Sequence, residues 1–343
     1  MDIPPVLKPP IDPKPHGLSQ KRLNIVGIVL GALYGLAGRL VFGLDVFREY
    51  FEVMSCVFIF GMPFCIGFIA VWFGPYRESQ KADKILIPAW LASFSCLAVA
   101  LALLWEGLIC IFVWVPLVFV LSTLGGLFAA LLLKVVTSAR DRLRCAFAVM
   151  LLPFAVAPLE QLHPYSTEIK TVPTQIKIHA SPQIVWQEIR SVPLIQEREQ
   201  SGSFSHWLGF PRPLEAKLVG EGPGAVRYAT FERGVLFVET ITEWREPRKL
   251  SFSIRADTEH IPPTTFDEHV IIGGKYFDVL SGCYEIEDIG GGDVILHLSS
   301  EQRLSTRFNF YSHYWTEYLM ADLQNYILRI IKARCEAQGV EKR

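Results

Sequence analysis

The sequence predicts an α-helical membrane bundle followed by an α+β domain, an antiparallel sheet wrapped around a long C-terminal helix. Three observations predict it. Charge is split unevenly, with 13 Lys+Arg and 10 Asp+Glu in residues 1–160 against 20 and 24 in residues 161–343. The first half holds apolar runs of bilayer length, about 20 residues for each helical crossing. The second half reads as strand, short helices, a series of strands divided by turn signals, and one long amphipathic helix.

Composition sets the outer limits. The 343 residues are 51% apolar and 20% charged, with a mean hydropathy of +0.30. Disordered chains have the opposite balance. With 25 Gly and 7 Cys the chain is neither collagen-like nor a disulfide scaffold. A net charge of −1 without a basic stripe argues against a nucleic-acid partner. Cys56, Cys65, Cys96, Cys110 and Cys145 lie in or beside apolar runs, where cysteine acts as a small hydrophobe. Cys283 and Cys335 are isolated, and no Cys/His spacing suits zinc, so no metal site is expected.

The Pro-rich, polar residues 1–23 read as a flexible leader. They are not a signal peptide, because the first apolar run starts only at Asn24 and no small-residue cleavage site follows. A membrane domain with about five transmembrane helices is expected over residues 24–160. The spans are Asn24 to Leu44, Phe51 to Gly74, two within Ile85 to Leu133 broken at Trp105-Glu106-Gly107, and Cys145 to Leu159. The last holds Pro153 and Pro158. It is the short one: about 15 residues rise about 22 Å, against about 30 Å of hydrocarbon.

Loop charge orients the spans. Lys8, Lys14, Lys21 and Arg22, then Arg77, Lys81 and Lys84, then Lys134, Arg140, Arg142 and Arg144 fall on one side of an alternating topology. The positive-inside bias puts that side, with the N-terminus, in the cytoplasm. Five crossings place the C-terminal domain on the outer face; if the fifth does not cross, that domain stays cytoplasmic. Arg39, Asp45, Glu49 and Glu106 fall at span ends, where charges face water or snorkel, rather than mid-span, where they would mark a conduction path. Gly31, Gly35, Gly38, Gly125 and Gly126 permit close helix packing.

Residues 161–172 are expected to link the halves, 173–337 to form the second domain and 338–343 to be a tail. Gln175 to Ala180 alternates as a strand. Ser181-Pro182 then starts a short helix, with Pro at its first position. A second short helix falls around Ser203 to Leu208. Strand-like runs follow at Glu215–Gly220, Ala225–Glu232, Val235–Trp244, Leu250–Arg255, Val270–Glu287 and Val294–Arg303. Their separators, such as Glu221-Gly-Pro-Gly and Gly290-Gly-Gly-Asp293, are turn signals. Thr306 to Ala337 lacks Gly and Pro, and Phe308, Tyr311, Trp315, Leu319, Leu323 and Tyr326 recur at helical spacing.

The segments IKIHASPQIVWQEI, GEGPGAVRYATF and ETITEWREPRKLSFSI, followed by the long helix, resemble the START/Bet v 1-like helix-grip superfamily (SRPBCC), in its polyketide cyclase/dehydrase and lipid-transport branch. The resemblance covers residues 173–337. It implies a seven-stranded sheet gripping the helix around a pocket for lipids, sterols, polyketides or other apolar molecules. A multi-span anchor is not a usual part of that fold.

The chemistry-bearing residues are few. No GxSxG, Walker loop or GxGxxG opening a helix is present, so no cofactor is expected. His179, His206, His260, His269, His297 and His313 lack metal-ligand spacing. Glu239 and Glu243 fall on one face of a strand around Ile241. Facing the cavity, Glu239 would be a general base; facing solvent, an ordinary surface carboxylate. Asp267, His269 and Tyr276 fall where they would cap the pocket mouth. Trp207, Phe231, Phe237, Glu239, Tyr276, Phe308, Tyr311, Trp315 and Leu319 are expected to line it. The reading is therefore membrane-tethered binding of a lipid or other hydrophobic small molecule. Two alternatives stand beside it: a cyclase/aromatase-like enzyme using Glu239 and His269, and a ligand-dependent protein-interaction module.

Overall fold

The computed structural model describes residues 20–75, 82–257 and 271–341. Its first half is helical. Helix α1 (Gln20–Gly43) leads through an irregular stretch into a single π-helical turn (Val57–Gly61) and α2 (Met62–Trp72). Helices α3 (Asp83–Ala102), α4 (Leu108–Val135) and α5 (Ala139–Gln161) follow. Of these, α1, α3, α4 and α5 are long and apolar enough to cross a membrane.

Two expectations about the helices are corrected. The short segment is the second, not the fifth: Val57–Trp72 rises only about 24 Å, because residues after Phe51 fold as turns. The fifth runs 23 residues, with Pro153 and Pro158 inside it. Both prolines sit in the half toward the sheet domain, and α5 carries on through them.

The helices pack through small residues. Any Cβ at Gly67 would overlap the carbonyl of Ser122, and one at Gly125 would overlap that of Phe64, so α2 and α4 lie backbone to backbone. The connections 44–56 and 103–107 and the end of α5 lie at one end of the bundle, against the sheet domain. Glu52 there meets Lys275 at 2.6 Å, and Arg307 donates to the Glu160 carbonyl. At the far end Val71, Trp72, Ile85 and Leu133 cluster, beside the basic residues that begin α3 and α5.

The second half is a seven-stranded antiparallel sheet. Its strands are β1 (Ser166–Ile178), β2 (Pro213–Val219), β3 (Val226–Phe231), β4 (Leu236–Arg245), β5 (Lys249–Asp257), β6 (Phe277–Gly290) and β7 (Asp293–Thr306). Their order is β1-β7-β6-β5-β4-β3-β2. Short helices α6 (Pro182–Arg190) and α7 (Phe204–Trp207) fall between β1 and β2, and α8 (Asn309–Glu341) closes the chain.

The sheet grips α8 from both edges. Gln324 donates to the Val172 carbonyl of β1 at 3.1 Å and to Ser300 of β7 at 2.6 Å. Two residues on, Tyr326 packs with Ala216 of β2 and Ala229 of β3. A larger cluster joins Leu328, Ile331 and Cys335 of α8 to Trp186 and Ile189 of α6 and to Leu250, Ile286 and Leu296 of the central strands. Turn chemistry matches the sequence at the β6–β7 hairpin, where Gly290, Gly291 and Gly292 all take positive φ.

The expected linker and tail are also corrected. Strand β1 begins at Ser166, so only Leu162 to Tyr165 separate it from α5, and α8 runs on to Glu341. Pro173 suggests a boundary, but β1 is an edge strand, and an edge tolerates the missing N–H. Strand β6 starts at Phe277, after the break expected at Gly273-Gly274 within the run Val270–Glu287.

Candidate functional site

Two cavities lie in series along α8. The inner one, about 130 Å³, is enclosed by the sheet, α7 and the middle of α8. Phe231, Val235, Phe237, Ile254 and Val279 form apolar walls, and its polar lining residues include Arg227, Glu239, Tyr284, Gln324, His206 and Tyr326. The outer one, about 120 Å³, is almost wholly apolar. It sits on the seam between the two halves: Ile109, Cys110, Val113 and Trp114 of α4 face Phe277, Leu304, Trp315 and Leu319 of the sheet domain. Phe210, Ile272, Met320 and Leu323 line both cavities.

Two of these polar residues stand on neighbouring strands. Arg227 of β3 and Glu239 of β4 stand opposite each other in register, and the Arg227 Nε donates to Glu239 Oε2. The guanidinium also donates to the Ile189 carbonyl at 2.6 Å and lies 4.3 Å over the Phe252 ring. Burial pushes the Glu239 carboxyl above its ordinary value, with Arg227 opposing the shift. Burial likewise pushes the Tyr284 phenol up to about 12. A carboxylate with one oxygen committed to a buried guanidinium is poorly placed to take a substrate proton.

His206 and Tyr326 also line this cavity, ring centroids 4.4 Å apart, with Arg212 and Glu232 as charged neighbours. Neither His206 nitrogen nor the Tyr326 hydroxyl, all buried, has a hydrogen-bond partner among the described residues. Burial pulls the His206 imidazole below its ordinary range, so it is neutral at pH 7. Buried polar groups seldom stay unpaired, so these atoms are free to bond a polar group on a molecule in the cavity.

The residues singled out in the sequence separate into distinct places. Phe231, Phe237 and Glu239 line the inner cavity. Tyr276, Phe308, Trp315 and Leu319 line the outer one. Tyr311 lines neither; its hydroxyl donates to the Val113 carbonyl across the seam. Trp207 lines neither and is 66% exposed, stacked on Phe204. His269, with His260 and Asp267, lies outside the described residues. Glu243 leaves the Glu239 face because a bulge between Ile241 and Glu243 shifts the register of β4 on β5. Trp244 turns inward instead, 5.2 Å from Trp186, while Glu243 pairs with Lys249 at 2.9 Å. Arg227, His206 and Tyr326 escaped sequence reasoning as site residues. For Arg227 the signal was present: it alternates in phase with Ala229 and Phe231, a charge on an apolar face.

No family model and no curated protein matches this chain. Among solved structures, a START superfamily protein from Mycobacterium smegmatis is similar at 8% identity, over 49% of this chain and 98% of its own, with a TM-score of 0.33. A norcoclaurine synthase point mutant from Thalictrum flavum, in complex with a transition-state analogue, is similar at 13% identity over 48% and 96%, with a TM-score of 0.29. A protein from Arthrobacter aurescens is similar at 15% identity over 50% and 91%, with a TM-score of 0.31. Strand order and the grip of both sheet edges on α8 define the architecture.

Proposed function

We propose that the chain is a membrane-embedded binding protein that holds one hydrophobic small molecule, drawn from the bilayer, in the inner cavity. The carrying observation is the cavity itself: apolar walls with a few buried polar groups set among them, the chemistry of a site for a mostly apolar molecule that carries a polar group. Arg227 and Glu239 neutralise each other, so the site favours an uncharged hydroxyl or carbonyl over an ionised head. Membrane embedding is supported by the length of α1, α3, α4 and α5 and by the exposed Leu33, Phe94, Leu131 and Leu151 on their outer faces.

The test is native mass spectrometry of the full chain purified in mild detergent, followed by organic extraction. A discrete apolar mass is expected, and it should be lost in Val235→Trp, which fills the inner cavity. A folded chain that carries no ligand, even after exposure to vesicles of membrane lipid, overturns the reading.

A further inference from the structure

We infer that the outer cavity is the passage by which the ligand moves between the bilayer and the inner cavity, and that the first two turns of α4 form its gate. The inference rests on the binding function proposed above and concerns the route rather than the site. Three observations carry it. The first is composition: the wall is mostly apolar groups from both halves, with Glu106, Thr306, Ser312 and Thr316 as its few polar members, which suits a hydrocarbon segment in transit. The second is continuity. The two cavities share the side chains of Phe210, Ile272, Met320 and Leu323 in their walls. Met is unbranched and adaptable and Leu turns among rotamers, so Met320 and Leu323 are the members of this shared wall best suited to yield.

The third is position. The outer cavity is closed by contacts between side chains of α4 and the sheet domain. Phe112 sits edge-on to Phe204, Trp207 and Trp315, at 5.1, 6.3 and 5.7 Å between centroids, and Tyr311 is tied to the Val113 carbonyl. Just outside this closure, α8 presents Phe310, Tyr314 and Tyr318, spaced by one helical turn and all exposed, alongside Trp207. Such aromatics gather at the level where lipid headgroups meet hydrocarbon. Because α4 is one of the bilayer-length helices, the same closure faces the bilayer edge rather than open water.

The experiment follows a pyrene-labelled hexadecanol from phosphatidylcholine vesicles into the full chain reconstituted in nanodiscs. Val113→Trp and Thr316→Trp narrow the outer cavity and leave the inner one intact. Uptake from vesicles and release to acceptor vesicles should both slow by about tenfold, equivalent to about 1.4 kcal/mol on the barrier, with equilibrium occupancy unchanged. Unaltered rates in both variants overturn the passage and leave the binding reading standing. No uptake by the unsubstituted chain overturns both. A second measurement needs no variant: a diazirine-bearing hexadecanol, photolysed in the same nanodiscs, should label Cys110, Val113 and Trp315 as well as Phe231 and Phe237. Labelling of the inner cavity without any on the three seam residues overturns the passage.

Discussion

Arg227 and Glu239 are paired twice, once as opposed residues of β3 and β4 and once as a buried ion pair lining the inner cavity. Two charges taken out of water hold together only while both are present. Arg227→Met alone leaves a buried carboxylate unmatched and should cost about 3–5 kcal/mol. Arg227→Met combined with Glu239→Leu should recover most of the loss, since an apolar pair of similar volume incurs no desolvation penalty. Thermal unfolding in detergent, followed by tryptophan fluorescence, compares the two. Single and double variants that melt together would show that the pair does not act as a unit.

This pair also marks how far the sequence could be read. Glu239 was legible because strand alternation is a local property, visible in VETITEW without knowing any partner. Glu243 was not, since the bulge that turns it out is set by how β4 meets β5 and leaves no mark on β4 itself. The order of elements in the sheet domain was legible for the same reason as Glu239, each run being bounded by its own turn residues. The seam was illegible: Tyr311 and Val113 meet across 198 residues, and periodicity says only that Tyr311 lies on an apolar helix face. Tyr311 therefore read as cavity lining although it serves as a tie between halves.

The helical half makes its own demand. Gly67 and Gly125 bring α2 and α4 into backbone contact, and neither position has room for a side chain. Gly125→Val should force the helices apart and cost at least about 1–3 kcal/mol, the usual range for overpacking. It should lower the melting temperature of the whole chain in detergent. Gly202→Ala, where an added Cβ meets nothing within 4 Å, is the control. Equal melting of the two variants would contradict the backbone contact.

His206 predicts a pH dependence. Its folded pKa lies below the ordinary value of 6.5, chiefly through burial, so the unfolded chain binds its proton more readily than the folded one. Stability linked to this residue is therefore intact above about pH 6.5 and falls as pH drops through that value toward the folded pKa. Melting temperatures measured between pH 7.5 and about pH 5 should decline, and His206→Gln should remove part of that decline. An identical pH profile in the variant would show that the imidazole is not held neutral by its site.

Helix count and loop charge together predict the side of the membrane. Helices α1 to α5 alternate, so the sheet domain lies at the end of the bundle opposite Lys84, Lys134, Arg140, Arg142 and Arg144. Basic loops stay cytoplasmic in membrane proteins, so the expected outcome is a domain on the outer face. The short segment is the second rather than the fifth: Val57–Trp72 covers only about 24 Å of an approximately 30 Å core. A hydrophobic segment that is too short is accommodated by local thinning of the bilayer or by packing within a bundle. Here Phe68, Ile69 and Ala70 are fully enclosed by neighbouring helices, so this segment meets little lipid. Alkaline phosphatase fused after Arg343 should therefore be active. An inactive phosphatase together with a bright fluorescent protein at the same position would put the domain in the cytoplasm and show that an even number of segments crosses.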